Sequence, residues 1–371
     1  MNQFKRKKMK QTQKSGRDHQ GMKYGMNLIG KKMKQTQKSG CDQQGRKYVM
    51  DLEFFEFCKK KLERPIERLS SMDLEFGRNK DEKLITHSQK PEKLFDGKYL
   101  LVCEIGRGAF GIVYYCIDKN TKRAFACKYI PKKPKHPSAV HEISIMANIR
   151  HPNVVTLKES RVDEESTQIV MELCEGGDLL NRMVERGLST PWVVKKSLFS
   201  EPIAAHVLKS IMQVVKEFHE HGIMLRDLNP RNFVFVDNRD SSALKAIDFG
   251  LSIGFKPGQR FSYRPACTHF LAPEVLIQNY GPEADIWSAG VIMYIMLGGR
   301  YPFFAKDEKS LEAQIKYGFV DRITNPWPRV SDSAKNLIRN MLEVDASKRF
   351  TAQQVLNHPW LLVNAKKNPT S

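Results

Sequence analysis

The sequence predicts an α+β protein of two unequal lobes, a small antiparallel β-rich one followed by a larger helical one. Three observations carry this. β-Branched and aromatic runs crowd residues 99–130 on both sides of a glycine cluster. Beyond Gly176-Gly177 the pattern changes, and Ile203, Val207, Ile211, Val214, Val215 and Phe218 form a helical stripe. The composition, 41% hydrophobic and 27% charged over 371 residues, is that of a chain able to bury a core.

Taken in order, residues 1–50 hold 14 Lys and Arg against Asp18 and Asp42, so +12 of the net +20 lies in this arm. Within it Lys7–Gly16 (KKMKQTQKSG) recurs identically as Lys31–Gly40. Two copies without an apolar face cannot stack as a solenoid, so the arm reads as a duplicated, solvated and disordered extension. Lys5-Arg6-Lys7-Lys8-Met9-Lys10 is also a candidate nuclear-import signal. Nucleic-acid binding is disfavoured, because only Phe4, Tyr24 and Tyr48 offer rings for stacking. Residues 51–95 read as a linker: Leu52, Phe54, Phe55 and Phe57 cluster, but Pro65 and polar stretches interrupt them.

The folded body spans 96–361, followed by a tail at 362–371. Strands are expected over Tyr99–Ile105, Ile112–Ile117, Ala124–Ile130 and Gln168–Leu173, and helices over His141–Ile149 and Pro202–Gly222. The lobes join at Glu172–Cys174. Ile286–Leu297 is apolar but too short to span a bilayer, and reads as a buried helix. The basic N-terminus has no apolar stretch behind it, so no secretory signal is expected. Asn2 in place of glycine argues against N-myristoylation. Seven scattered cysteines without a Cys-x-x-Cys pair suggest neither a disulfide framework nor a zinc site. A reducing cytosol or nucleus, with no membrane anchor, is the expected setting.

The chemistry sits in an ordered set of motifs. Gly106-Arg-Gly108-Ala-Phe110-Gly111 opens it, and Ala126-Cys-Lys128 follows. Arg226-Asp227-Leu-Asn229-Pro-Arg231-Asn232, Asp248-Phe249-Gly250, Ala272-Pro273-Glu274 and Asp285-Ile-Trp287 complete it. Each is weak alone; together, in this order, they are a protein-kinase signature. Gly106, Gly108 and Gly111, flanked by Ile105 and Val113, would let backbone amides approach ATP phosphates with no Cβ in the way. A dinucleotide-binding turn is the rival, but it needs a helix directly after the glycines, and Ile112-Val-Tyr-Tyr is strand-like. Lys128 is expected to hold the α- and β-phosphates with Glu142 as its partner. Their separation of 14 residues is short, which predicts a helix lacking its usual first turn. Asp227 is the expected acceptor of the substrate hydroxyl proton, and Asn232 and Asp248 the expected Mg2+ ligands. Glu274 and Arg349 should form a buried ion pair.

Glu-Leu-Cys-Glu-Gly-Gly-Asp (172–178), Gly-Pro-Glu-Ala-Asp-Ile-Trp-Ser-Ala-Gly (281–290) and Pro-Trp-Pro (326–328) resemble the plant calcium-dependent protein kinases, which are calmodulin-kinase-like Ser/Thr kinases. The short stretch between Lys128 and Glu142 is more similar to the phosphoenolpyruvate carboxylase kinase-related branch. The resemblance covers residues 99–361. It implies a bilobal kinase fold and an ATP- and Mg2+-dependent Ser/Thr kinase acting on a protein substrate. It further implies that Met171 walls the adenine pocket and that the backbone of Glu172 and Cys174 binds the base. Asp178 would meet the ribose or a basic substrate residue. No Asp-x-Asp-x-Asp-Gly loop occurs, so direct calcium binding is not expected. The segment near Ser189–Leu198 has no counterpart in the family.

The departures matter as much as the matches. Leu225 replaces the histidine before Arg226, and leucine can keep the expected packing with Phe249 and Met146. Asn229 stands where the family has a lysine that contacts the γ-phosphate, and Cys267 stands where it has a threonine bridging that lysine and the base. Arg231, four residues after Asp227, is placed as in tyrosine kinases whose arginine takes the lysine's role. Arg226 could also meet a phosphate on Ser252, Ser262, Tyr263 or Thr268. Two readings therefore compete: a Ser/Thr kinase of attenuated activity, and a nucleotide-binding pseudokinase scaffold.

Overall fold

The structure, a computed structural model, describes residues 95–108, 111–132, 139–188, 198–265, 268–318, 320 and 327–367. The basic arm and its repeat, the linker to residue 94, Phe110, residues 189–197 and Cys267 lie outside the described residues.

The small lobe is a five-stranded antiparallel sheet of order β1-β2-β3-β5-β4. Its strands are β1 (Tyr99–Arg107), β2 (Ile112–Asp118), β3 (Ala124–Pro131), β4 (Leu157–Val162) and β5 (Ser166–Met171), and α1 (Ala139–Asn148) packs against β4 and β5. Period-two alternation sorts the side chains of β3. Cys127 joins Tyr99, Cys116 and Val170 in a small cluster, while Ala126 and Ile130 enter the main core. Lys128 shares the parity of Ala126 and Ile130, so the sheet's geometry sends its ammonium toward the cleft.

The large lobe contains α2 (Leu179–Glu185), α3 (Glu201–Glu220), α4 (Pro273–Leu276), α5 (Glu283–Gly298), α6 (Glu308–Tyr317), α7 (Asp332–Met341), α8 (Ala352–Leu356) and α9 (Pro359–Asn364). Two short antiparallel ladders pair β6 (Ile223–Met224) with β9 (Ile253–Gly254), and β7 (Phe233–Phe235) with β8 (Leu244–Ala246). The apolar stripe of α3 behaves as its spacing requires. Val207, Ile211, Val214, Val215 and Phe218 are buried, and Ile203 is partly so.

Helix α5 is the pillar. Every residue from Ala284 to Gly298 is buried, because α5 is surrounded on all sides. Gly290 admits Met341 and Leu342, and Gly298 admits the Trp327 ring, at distances no Cβ would allow. Gly299, at φ 66°, ends the helix in the left-handed region. No described helix is long and apolar enough to cross a membrane. The expected ion pair is formed: Arg349 Nη2 donates to Glu274 Oε2 at 2.9 Å, deep in the lobe.

Candidate active site

Strand pairing brings the first group of residues together. Val113 of β2 faces Gly106 of β1 on one side and Lys128 of β3 on the other. Lys128 in turn lies opposite Ile169, and Ala126 opposite Met171. Ile105 and Val113 pack on the main core as half-buried side chains. Gly111 is demanded by the fold itself, since a Cβ there would collide with the backbone of Tyr129. Among the described residues nothing lies within 4 Å of where a Cβ on Gly108 would stand.

Lys128 is held between two carboxylates. Its Nζ donates to Glu142 Oε1 at 2.8 Å and Oε2 at 2.9 Å, and to Asp248 Oδ1 at 2.8 Å. Burial alone would push the ammonium's pKa down, but Asp248 and Glu142 together raise it. Burial opposes ionisation of Asp248 as well, yet Lys128 holds its carboxyl below the ordinary range. For Glu142 burial dominates and its pKa rises, with Lys128 only partly compensating. Helix α1 begins at Ala139, so Glu142 lies in its first turn, as the short spacing requires. There the positive end of the helix favours a carboxylate.

The second group comes from the loop after β6. Asp227 is gripped at both oxygens: Asn232 Nδ2 donates to Oδ2 at 2.9 Å, and Asn229 Nδ2 to Oδ1 at 2.9 Å. Burial, then the charge of Asp248, raises the Asp227 pKa, and the two amides partly offset this. The Asn232 side-chain amide also donates to the Asp227 backbone carbonyl at 2.8 Å, while the Asn232 backbone carbonyl accepts from Ile247 N at 2.8 Å. That last bond ties the loop to the residue preceding Asp248.

Two residues here have left-handed backbones, Arg226 at φ 65° and Asp248 at φ 64°. Such positions cost on the order of 1–3 kcal/mol and persist only when their surroundings hold them. Asp285 of α5 supplies much of that hold. It accepts Leu225 N and Arg226 N, each at 2.9 Å, and His219 Nε2 at 2.8 Å. Sequence reading placed Asp285 in a motif but gave it no role. The signal was there, since a carboxylate inside an otherwise apolar helix needs donors.

Other expected positions fall as follows. Leu225, Phe249 and Met146 are all buried in the main core, and Phe249 packs on Phe218 with ring centroids 5.2 Å apart. Met171 is buried at the end of β5. Glu172 N–H donates to Thr156 O at 3.0 Å. Burial pushes the Cys174 thiol up to about 12. The Asp178 carboxylate caps α2, accepting Asn181 N at 2.7 Å and Asn181 Nδ2 at 2.8 Å, so it is engaged in starting that helix. Arg231 is half-buried, and its N–H donates to Asn229 Oδ1 at 3.0 Å. Arg226 Nε donates to Leu251 O at 2.6 Å, and its guanidinium lies 5.2 Å from the Tyr263 ring. Of the four hydroxyls considered for phosphorylation, Ser252 and Thr268 are buried, whereas Ser262 and Tyr263 are exposed.

The donor set fits a magnesium nucleotide. About a third of the Asp248 side chain, 32%, is open. Asn232 uses its side-chain nitrogen on Asp227, and its side-chain oxygen Oδ1 is the atom that could meet a cation. Among the described residues no group of three or more His, Cys, Asp or Glu gathers as a metal cage. Two oxygen ligands suit an ion that keeps waters and binds phosphate, as Mg2+ does.

Residues 99–361 match the model of the protein kinase domain. Calcium-dependent protein kinase 32 of Arabidopsis thaliana is 49% identical over 294 residues, 77% of this chain and 52% of the relative. Calcium-dependent protein kinase 7 of the same plant is 50% identical over 279 residues, 73% and 50%. Calcium-dependent protein kinase 3 of Oryza sativa subsp. japonica is 48% identical over 281 residues, 74% and 49%. The chain spans about half the length of these relatives.

Proposed function

Because this chain belongs to the protein kinase family, and within it resembles the plant calcium-dependent kinases, we propose that it transfers the γ-phosphate of ATP to serine or threonine hydroxyls of a protein substrate. The observation that carries this reading is the bridging of Lys128 between Glu142 and Asp248, with Asp227 held by Asn232 in the same cleft.

The division of labour follows from the donor groups. Lys128 binds the α- and β-phosphates with an ammonium that Glu142 keeps charged and aimed. Asp248 and Asn232 are the residues to hold Mg2+, which when bound offsets the charge of the β- and γ-phosphates. Met171 closes the base pocket, and the backbone of Glu172 and Cys174 orients adenine. Asp227 takes the proton of the substrate hydroxyl as the hydroxyl oxygen bonds to the γ-phosphorus and the bond from that phosphorus to the bridging oxygen breaks, releasing ADP. Asn229 supplies no charge to the γ-phosphate, and loss of one such contact slows transfer on the order of 100- to 1,000-fold. Arg231 is the residue proposed to return part of that charge.

Asn229 also favours a second reading, a scaffold that binds nucleotide without transferring phosphate. Purified protein with Mg2+, labelled ATP and a basic serine peptide separates the two. Transfer by wild type and its loss in Asp248→Asn is the expected result; ATP binding without transfer selects the scaffold.

A further inference from the structure

We propose that Asn229 is a positioning residue for Asp227, its amide nitrogen orienting the proton-accepting carboxylate while its carbonyl oxygen fixes the loop that carries it. The inference rests on the kinase reading above and concerns how this chain runs that reaction without the lysine its relatives have.

The geometry makes the two ends of one side chain do different things. Asn229 has an extended backbone (φ −144°, ψ 161°), and its Oδ1 accepts Arg231 N at 3.0 Å, capping the 3-10 turn Pro230–Asn232. The other end of the same amide donates to Asp227 Oδ1 at 2.9 Å. Asn229 is buried, 8% exposed, so neither bond competes freely with water. Lysine has three donors and no acceptor, and could make the second contact but never the first. Asn232 holds the opposite oxygen of Asp227 at 2.9 Å. Rotation of the carboxylate therefore breaks two hydrogen bonds at once, and a fixed proton acceptor is what transfer to an incoming hydroxyl requires. The chain thus holds Asp227 at both oxygens and gives up the charge that the relatives' lysine brings to the γ-phosphate.

The competing account is that Asn229 merely caps a turn. Serine caps a turn about as well as asparagine, but its hydroxyl, once used as the cap, is too short to grip Asp227. Asn229→Ser therefore keeps the cap and loses the grip without adding charge. Steady-state kinetics of the full chain, with ATP and a serine peptide varied in turn, should show kcat reduced about 10- to 100-fold, the worth of one hydrogen bond to a charged group. KM for both substrates should stay at wild-type values, a split that marks an interaction felt in the transition state, while the melting temperature falls only by the few degrees that one lost buried hydrogen bond costs. Asn229→Lys, which restores a donor, should transfer at least as fast as wild type. Wild-type kcat in Asn229→Ser overturns the proposal, and so does a fall in kcat accompanied by a raised KM for either substrate. Wild-type protein that binds ATP but transfers nothing overturns the kinase reading and this inference with it; active wild type beside unaffected Asn229→Ser overturns this inference alone.

Discussion

At the scale of the residue, Lys128 shows how one side chain can serve chemistry and folding together. Substituting Lys128 by methionine removes the proposed phosphate ligand, and phosphotransfer should fall by at least the order of 100-fold expected for one lost electrostatic contact. It also strands Glu142, 2% exposed, without its cation. Removing one partner of a buried pair costs about 3–5 kcal/mol, so the melting temperature should drop as well. Adding Glu142→Gln to Lys128→Met should restore much of the stability and none of the transfer, which calorimetry and the peptide assay would show. His269 makes a separate case for pH. Burial lowers its pKa from 6.5 to about 4, so the folded state binds the proton less readily than the unfolded chain. The stability this represents is complete above pH 6.5 and is lost as pH falls toward 4, up to about 3 kcal/mol. His269→Phe should flatten the denaturation midpoint across that window.

At the scale of the element, the two glycines that follow Gly106 separate cleanly. Gly111 lies against the Tyr129 carbonyl, and Gly108 faces open space. Gly111→Ala should therefore lower the melting temperature by forcing β2 off β3, whereas Gly108→Ala should leave it unchanged and raise KM for ATP. Thermal denaturation beside ATP kinetics would distinguish them. Asp285 is the corresponding device in the helical lobe, one α5 carboxylate receiving two backbone N–H groups and His219. Asp285→Ala leaves those buried donors unpaired, at about 1–3 kcal/mol each. Loss of both stability and transfer is expected, with hydrogen exchange at Leu225 and Arg226 rising first.

At the scale of the whole molecule, the lobes are joined across the cleft by Lys128 and Asp248, one from the sheet and one from the segment after β8. His141 of α1 adds a bond from its Nε2 to Ser252 O at 2.9 Å. Magnesium nucleotide bound between them should stabilise the fold by mass action, about 2.7 kcal/mol at a hundredfold excess over Kd. For a domain of this size that is a rise of several degrees in melting temperature. Asp248→Asn should abolish the magnesium-dependent part, and a scan with and without the metal measures it.

Much of this was legible in the chain, because local physics writes itself in periodicity and spacing. The strands around Gly106, the stripe of α3 and the buried α5 each follow from residue pattern alone. Strand β4 (Leu-Lys-Glu-Ser-Arg-Val) was not legible, since a polar edge strand carries no alternation. The ladders β6–β9 and β7–β8 were too short to leave a pattern. Sequence order likewise named Lys128, Glu142, Asp227, Asn232 and Asp248 as candidates, but it treated Asn229 only as a missing lysine. The helix-capping bond of Asp178 to Asn181 N was not read from the sequence, which gave Asp178 only a ligand-facing role. By itself, then, the chain determined its lobes and the residue types available for chemistry. Only the tertiary structure decided which groups meet, because a hydrogen bond between residues as far apart as Lys128 and Asp248 depends on how the lobes close, and no local pattern encodes that distance.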